Sequence, residues 1–107
     1  MNLDVKTSRH ARTRMQQRAV PPLVVQWLAQ FGARQRARDA ADLVFFDKAA
    51  RRRLTQAFGE VVVQRLGPLL NAYIVQAENG DVVTVGWRLQ RVLRDLQPGQ
   101  RADRPSN

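Results

Sequence analysis

The sequence predicts a single α+β domain in which helices pack on one face of a small antiparallel sheet. Its 107 residues fit one compact domain. Hydrophobic residues recur at helical spacing in the first third, and Asn79-Gly80 separates two later apolar runs as in a β-hairpin. We therefore expect two N-terminal helices, a third, basic helix and a C-terminal hairpin. The domain should span residues 8–94, between a flexible leader of residues 1–7 and a disordered polar tail of residues 95–107.

The first two helices have recognisable start and stop residues. Ser8 is a suitable N-cap for a first helix from Arg9 to about Arg18. Pro22 can open a second helix, because its missing N–H would be unpaired in the first turn anyway, and Gly32 can end it. The residues that form one apolar stripe on this second helix are Leu23, Val24, Trp27, Leu28 and Phe31. We expect that stripe to lie in the core.

The middle of the chain predicts an edge strand, a short apolar strand and a basic helix. Residues 33–38 alternate arginine with smaller side chains, which suits an edge strand with its charges outward. Residues 43–46 are aromatic and β-branched, as strands favour. Asp47 can then cap a third helix that runs through Phe58 and ends at Gly59.

The remaining elements are one ambiguous segment and a hairpin. Residues 60–66 fit a strand because of three successive valines, and fit a short helix because turn residues are missing. Residues 69–77 and 81–88 form two strands, joined by a type I′ turn at Asn79-Gly80.

Side-chain alternation predicts how the helices cover the sheet. It places Val82, Thr84 and Arg88 on one face of the last strand, and Val85 and Trp87 on the other. The helix residues expected to cover the sheet are Trp27, Phe31, Leu54 and Phe58. The sheet residues expected beneath them are Leu43, Phe45, Ile74 and Val85, or those of the alternate register.

The charge balance favours a polyanionic partner. Eighteen Lys+Arg against nine Asp+Glu give a net charge of +9, which suits nucleic acid, an acidic protein or an anionic membrane. Sixteen of the cations are arginines, whose planar fork suits phosphate, although a high-GC genome produces the same bias.

Several classes of site are excluded. The chain has no cysteine, so disulfides, thiolate nucleophiles and Cys-ligated metal sites cannot form. Glycine-rich nucleotide-binding fingerprints are also missing. We expect neither a cofactor nor a metal. The apolar runs are far too short to cross a membrane, and we therefore expect a cytoplasmic protein without a membrane partner.

The most distinctive cluster lies on the first helix. His10, Arg14 and Arg18 follow one another at four-residue spacing and share one face. Like charges at this spacing repel, so an anion against the face would stabilise the arrangement. We predict His10 and Arg14 as catalytic candidates and Arg18 as an RNA contact. The alternative is a solvated basic face.

Further arginines are candidates for nucleic-acid binding. Arg51, Arg52 and Arg53 fan over more than half of the third helix, where a solvated exterior is the alternative interpretation. Arg88 ends the last strand and could complete a basic groove with the first helix, and Arg91, which follows the strand, is a further candidate contact. Trp87 and Tyr73 could each stack a base, although aromatic residues on strands more often belong to the core.

Four short motifs follow one another along residues 8–92: His10-Ala11-x-x-Arg14-Met15-x-x-Arg18, Phe46-Asp47-Lys48, Leu70-Asn71-Ala72-Tyr73, and Val83-Thr84-Val85-Gly86 before Arg88. Together they resemble a family of small bacterial proteins of unknown function. That family is similar in organisation to the RelE/ParE-type toxins and to related barnase-like ribonuclease toxins, which have N-terminal helices followed by an antiparallel sheet.

The resemblance implies a toxin-like, RNA-acting protein: a metal-independent ribonuclease or an inactive relative, with His10 and Arg14 at its centre. Many members of the family carry histidine where this chain has Trp87, and a mechanism with two proton transfers needs a second titrating group. The implied partners are RNA or the ribosome and an acidic antitoxin-like protein. Two other hypotheses stay open: a non-catalytic nucleic-acid-binding module, and a protein-interaction domain neutralised by an acidic partner.

Overall fold

The computed structural model describes residues 5–88, which form an α+β fold and confirm the expected fold class. The helices in this part of the chain are α1 (Arg9–Gln17), α2 (Pro22–Phe31), α3 (Lys48–Phe58) and α4 (Glu60–Leu66). The strands are β1 (Ala33–Arg36), β2 (Asp42–Phe45), β3 (Ala72–Gln76) and β4 (Val82–Trp87). They form one antiparallel sheet in chain order. No helix among the described residues is long and apolar enough to cross a membrane.

Within residues 5–88, the helices cover one of the two sheet faces. Val44 pairs with Ile74, and Ile74 pairs with Val85; all three are fully buried in the main core. Leu43 and Phe45 were expected beneath the helices together with Ile74, but they lie on the second face, because neighbouring side chains of a strand point to opposite sides. The hydrophobic residues packed around them are Ala33, Ala37, Tyr73 and Val75.

The four helix residues expected over the sheet have different environments. Leu54 is fully buried, and Trp27 and Phe31 are partly buried against the core. Phe58 was also expected to be buried, but it is 40% exposed. It lies at the last turn of α3 and stacks on Trp27 with a ring-centre distance of 4.4 Å.

A bulge in β4 overturns the strict alternation expected there. Val75 pairs with Thr84, but the next residue, Gln76, pairs with Val82, so β4 carries one extra residue. As a result Val82 and Val85 both lie in the helix-side core, although alternation predicted them on opposite faces. A bulge changes which side chains share a face, and an alternating sequence does not reveal it.

Side-chain caps define the helix starts as expected. The Ser8 hydroxyl accepts a hydrogen bond from the Ala11 N–H at 3.0 Å, and Asp47 accepts one from the Ala50 N–H at 2.8 Å. The ambiguous residues 60–66 are helical, and their inward side packs against the core.

The type I′ geometry expected in the β3–β4 turn occurs in the β1–β2 turn, for which no turn type was predicted. In the β1–β2 loop Asp39 and Ala40 both have positive φ, 59° and 58°, and the Ala41 N–H donates to the Arg38 carbonyl at 3.1 Å, as in a type I′ turn. In the β3–β4 loop only Gly80 has positive φ. The expected type I′ turn at Asn79-Gly80 is therefore wrong. A three-residue loop ending in a left-handed glycine replaces it.

The end of the expected leader is hydrogen-bonded to the sheet. Thr7 forms a parallel bridge with Val82, whose N–H donates to the Lys6 carbonyl at 2.8 Å and whose carbonyl accepts from the Ser8 N–H at 2.9 Å. These bonds occupy part of the outer edge of β4 and lead the chain directly into α1. The expected tail and Arg91 lie outside the described residues.

Candidate nucleic-acid interface

The end of α1 is held against β4 by two hydrogen bonds that involve Arg18. The Trp87 indole N–H donates to the Arg18 carbonyl at 2.6 Å, and the Arg18 guanidinium donates to the Val85 carbonyl at 3.1 Å. Trp87 is partly buried against the core. Its structural role is thus to position Arg18, a role that the sequence did not suggest.

Tight winding after α1 makes this placement possible. The Val20 N–H donates to the Met15 carbonyl at 2.9 Å, and the Ala19 N–H donates to the Gln16 carbonyl at 3.3 Å. This pair of hydrogen bonds is the Schellman motif of a helix C-terminus. That pattern requires a left-handed residue, and Ala19 has φ 54°. The chain therefore turns sharply after Arg18, at the point where Trp87 holds its carbonyl.

A row of three residues crosses the second face of the sheet beside Arg18. Phe45 pairs with Tyr73, and Tyr73 pairs with Gly86, so all three share one face. A Cβ atom placed on Gly86 would lie 2.8 Å from Nη1 of Arg18 and 2.9 Å from Oη of Tyr73. The arginine and the phenol thus converge in the space that glycine leaves open.

Arg88 lies at the other end of this row. Its guanidinium is 5.5 Å from the ring centre of Phe45 and donates a hydrogen bond to the Phe46 carbonyl at 2.9 Å. Burial lowers the pKa of Arg88 from its ordinary value, and the neighbouring charge of Arg51 lowers it further, whereas Asp47 raises it. Arg88 stays charged because an arginine pKa lies far above neutral pH.

The three arginines of α3 separate into different environments. Arg51 lies 3.4 Å from Oδ1 of Asn71 and beside Arg88. Arg53 donates to the Phe31 carbonyl at 2.9 Å, which satisfies the end of α2. Arg52 is exposed on the outer side of the helix. Of this predicted basic run, the structure brings only Arg51 to Arg88.

His10 and Arg14 lie further along α1. Nε of Arg14 is 3.5 Å from Nε2 of His10, and its guanidinium is 3.5 Å from the Gln17 side chain. His10 is exposed, and eight residues of helix separate it from Arg18, which corresponds to about 12 Å along the helix axis. The predicted cluster therefore forms an extended basic line and does not surround one point.

We call the group Arg18, Phe45, Arg51, Tyr73, Gly86 and Arg88 the basic sheet face. Within residues 5–88, the ion pairs are those of Asp42 with Arg34 and Arg36, at 3.6 and 3.7 Å. None of the three arginines of the basic sheet face pairs with a carboxylate of this part of the chain. Asp47 acts on Arg88 electrostatically and raises its pKa, without forming an ion pair with it.

Several residues of this face were not singled out by the sequence. Phe45 was expected under the helices, and Gly86 was noticed only as part of a motif, as was Asn71, which contacts Arg51 of this face. The available signal was the run Val85-Gly86-Trp87-Arg88, in which a glycine interrupts an otherwise large-residue strand.

Comparisons with protein-family models, with curated proteins and with solved structures each found no match. The resemblance drawn from the four sequence motifs accordingly stays a prediction.

Proposed function

We propose that this protein is a toxin-like, RNA-acting protein that binds single-stranded RNA through the basic sheet face. The observation that carries the proposal is the pair Arg18 and Arg88, which flank the Phe45–Tyr73 row and form no ion pair with a carboxylate of residues 5–88. Guanidinium groups bind phosphates through paired N–H donors. The rest of the face supplies surfaces for bases.

Tyr73 and Arg88 are the groups that offer flat surfaces to a base. Phe45 is only 9% exposed and lies beneath Arg88, whereas Tyr73 and Arg88 are both partly exposed. Bases stack on aromatic rings and on arginine planes when they are free of a duplex. This arrangement favours an unpaired strand over a duplex, in which the bases are already stacked on each other.

In this proposal, the protein binds RNA at Arg18 without cleaving it there, because His10 is too far from Arg18. General acid or base catalysis needs the proton-transferring group within about 3 Å of the reacting atoms. His10 lies about 12 Å from Arg18 along α1, so the two contact different phosphates of one strand. We therefore propose that RNA is held at the basic sheet face without reaction there, and that His10 and Arg14 extend the contact along the strand.

We also propose the setting of this activity. RNA and the ribosome are the targets, which places the protein in the cytoplasm. An acidic antitoxin-like protein would inhibit it by covering the arginines of the basic sheet face, because carboxylates and phosphates compete for the same guanidinium donors.

Binding is tested by fluorescence anisotropy with a labelled single-stranded RNA, the matching RNA duplex, duplex DNA and heparin. We expect tightest binding to the single strand, with log K falling linearly with log salt by about 0.7 per contacted phosphate. Arg88→Ala should weaken binding about tenfold, whereas Arg52→Ala, an exposed arginine of α3, should change it less than about twofold. Equal losses in both variants would show that only net charge matters and would contradict the proposal.

Cleavage is tested separately with free and ribosome-bound RNA between pH 5 and 9. We expect bound, intact RNA under every condition. Products that disappear in His10→Gln would instead establish a ribonuclease and replace the binding-only mechanism.

A further inference from the structure

Exposed large hydrophobic side chains are concentrated at one corner of the molecule. Within residues 5–88 they are Phe58, Val61 and Val62, with 40%, 65% and 38% exposure. All three fall within five residues at the junction of α3 and α4, which we call the junction patch. Single exposed apolar residues are ordinary on a protein surface, but a contiguous group marks an interaction site.

The junction patch rests on a fixed aromatic base. The Phe58 ring stacks on Trp27 at 4.4 Å and meets the edge of Phe31 at 5.7 Å. On α4, Val63 and Leu66 pack against the core, whereas Val61 lies on the outer side and Val62 on the flank beside Leu66. The exposed side chains of the patch thus adjoin residues that are packed against the core.

Arginines border the patch on two sides. Arg53 donates to the carbonyl of Phe31, whose ring contacts Phe58. Arg65 follows Val61 by four residues and Val62 by three, which places it beside both on the helix surface. Glu60 is the single acidic residue of α3 and α4. The complementary partner thus has apolar residues bordered by carboxylates.

The position of the patch indicates what form the partner takes. It lies on two helices, whose backbone groups are hydrogen-bonded within the helices, so the patch itself offers no free strand backbone for β-addition. A helix satisfies its own backbone and can present an apolar stripe with acidic borders. A second copy of this chain fits poorly, because pairing two patches would bring Arg53 and Arg65 of both copies together against one Glu60 each.

We propose that the junction patch binds an acidic amphipathic helix of another protein. Phe58 follows Arg51 by seven residues, about 10 Å along α3, and Val61 and Val62 lie beyond it on α4, so the junction patch and the basic sheet face have different centres. The protein could thereby hold RNA and its protein partner at the same time. The inference does not depend on the RNA proposal.

The test uses a labelled synthetic helix of about 18 residues, with leucines at i, i+3, i+4 and i+7 spacing and glutamates beside them. Two control peptides carry lysine in place of glutamate or serine in place of leucine. We expect anisotropy to show binding of the first peptide and at least about tenfold weaker binding of both controls. Equal binding of the lysine peptide, or no binding of the first peptide, would overturn the proposal.

Variants of the protein locate the binding surface. The double variant Val61→Ser with Val62→Ser should lower the affinity for the peptide at least about tenfold. Both side chains are exposed enough for the fold to tolerate the changes. Arg65→Glu should also weaken it, whereas Arg12→Glu, an equal charge change on α1, should not. Equal effects of these two charge reversals would show attraction to the whole basic protein and refute the site.

Two further measurements separate this surface from the alternatives. Saturating single-stranded RNA should leave the affinity for the peptide within about twofold, and displacement of the peptide would place it on the basic sheet face and overturn the proposal. Sedimentation should show a monomer. A dimer that the double serine variant dissociates would make a second copy the occupant and contradict the proposal.

Discussion

Replacing Gly86 with alanine would perturb the convergence of Arg18 and Tyr73 while adding one methyl group. The new Cβ would lie 2.8 Å from Nη1 of Arg18 and 2.9 and 3.0 Å from Oη and Cζ of Tyr73. Contacts this short cannot persist between carbon and nitrogen or oxygen, whose optimum separation is about 3.5 Å. Both side chains must therefore move by several tenths of an ångström or more.

The cost falls on the side chains and not on the backbone. Gly86 is not among the described residues with positive φ, so alanine can adopt its conformation. Replacing glycine with alanine reduces the conformational entropy of the unfolded chain, which stabilises a protein by about 0.4–1 kcal/mol. This gain offsets part of the strain from moving the two side-chain ends. We expect the free energy of unfolding to change by less than about 1 kcal/mol, and the affinity for single-stranded RNA to fall about tenfold, or about 1.4 kcal/mol.

Two measurements on the same variant test this prediction. Urea unfolding, monitored by Trp fluorescence, gives the free energy of unfolding, and fluorescence anisotropy with labelled RNA gives the affinity. A double-mutant cycle gives the decisive control: in an Arg18→Ala background, Gly86→Ala should have a much smaller effect on RNA affinity. Unchanged affinity in Gly86→Ala would refute the role of this convergence. A loss of affinity that is fully additive with Arg18→Ala would show that the glycine acts independently of Arg18.

The remaining predictions concern the turns and the attachment of α1. Ala19→Gly should stabilise the fold by about 0.5–1 kcal/mol, because glycine relieves the left-handed helix end; thermal unfolding should show a Tm increase of a few degrees, and a decrease would contradict the Schellman geometry. Asp39→Asn with Ala40→Gly supplies the preferred type I′ residues and should add about 1 kcal/mol; unchanged stability in denaturant would count against the turn assignment. Trp87→Phe removes the 2.6 Å hydrogen bond to the Arg18 carbonyl, so it should lower the free energy of unfolding by about 1–2 kcal/mol and also weaken RNA binding. Lower stability with unchanged RNA affinity would show that Trp87 does not contribute to the interface.

The helices illustrate what can be predicted from local sequence. Ser8 and Asp47 cap α1 and α3 as expected, and Pro22 starts α2, because each of these effects depends on residues within one helical turn. The segment 60–66 could not be assigned from its valines, since β-branched residues are tolerated in a helix once Val63 and Leu66 are buried by tertiary contacts.

Local sequence patterns did not predict which sheet residues face the core. The choice between Leu43 and Val44 as the core-facing residue depends on register, because a shift of one residue exchanges the two faces. The type of the β3–β4 turn was also predicted wrongly. Asn79-Gly80 is the stronger type I′ sequence, yet the paired strands enforce that geometry at Asp39 and Ala40, where positive φ is costly.

The sequence by itself determined the α+β class, the helix starts, the basic charge and the arginines from which an anion-binding surface could be built. Only the tertiary structure decided which arginines share that surface. Arg18 meets β4 through bonds that span 67 and 69 residues, and Arg88 meets Phe46 across 42. Contacts between residues so far apart depend on strand register, on the bulge in β4 and on the packing of α1. These arise from the fold as a whole, and no local spacing of residues encodes them.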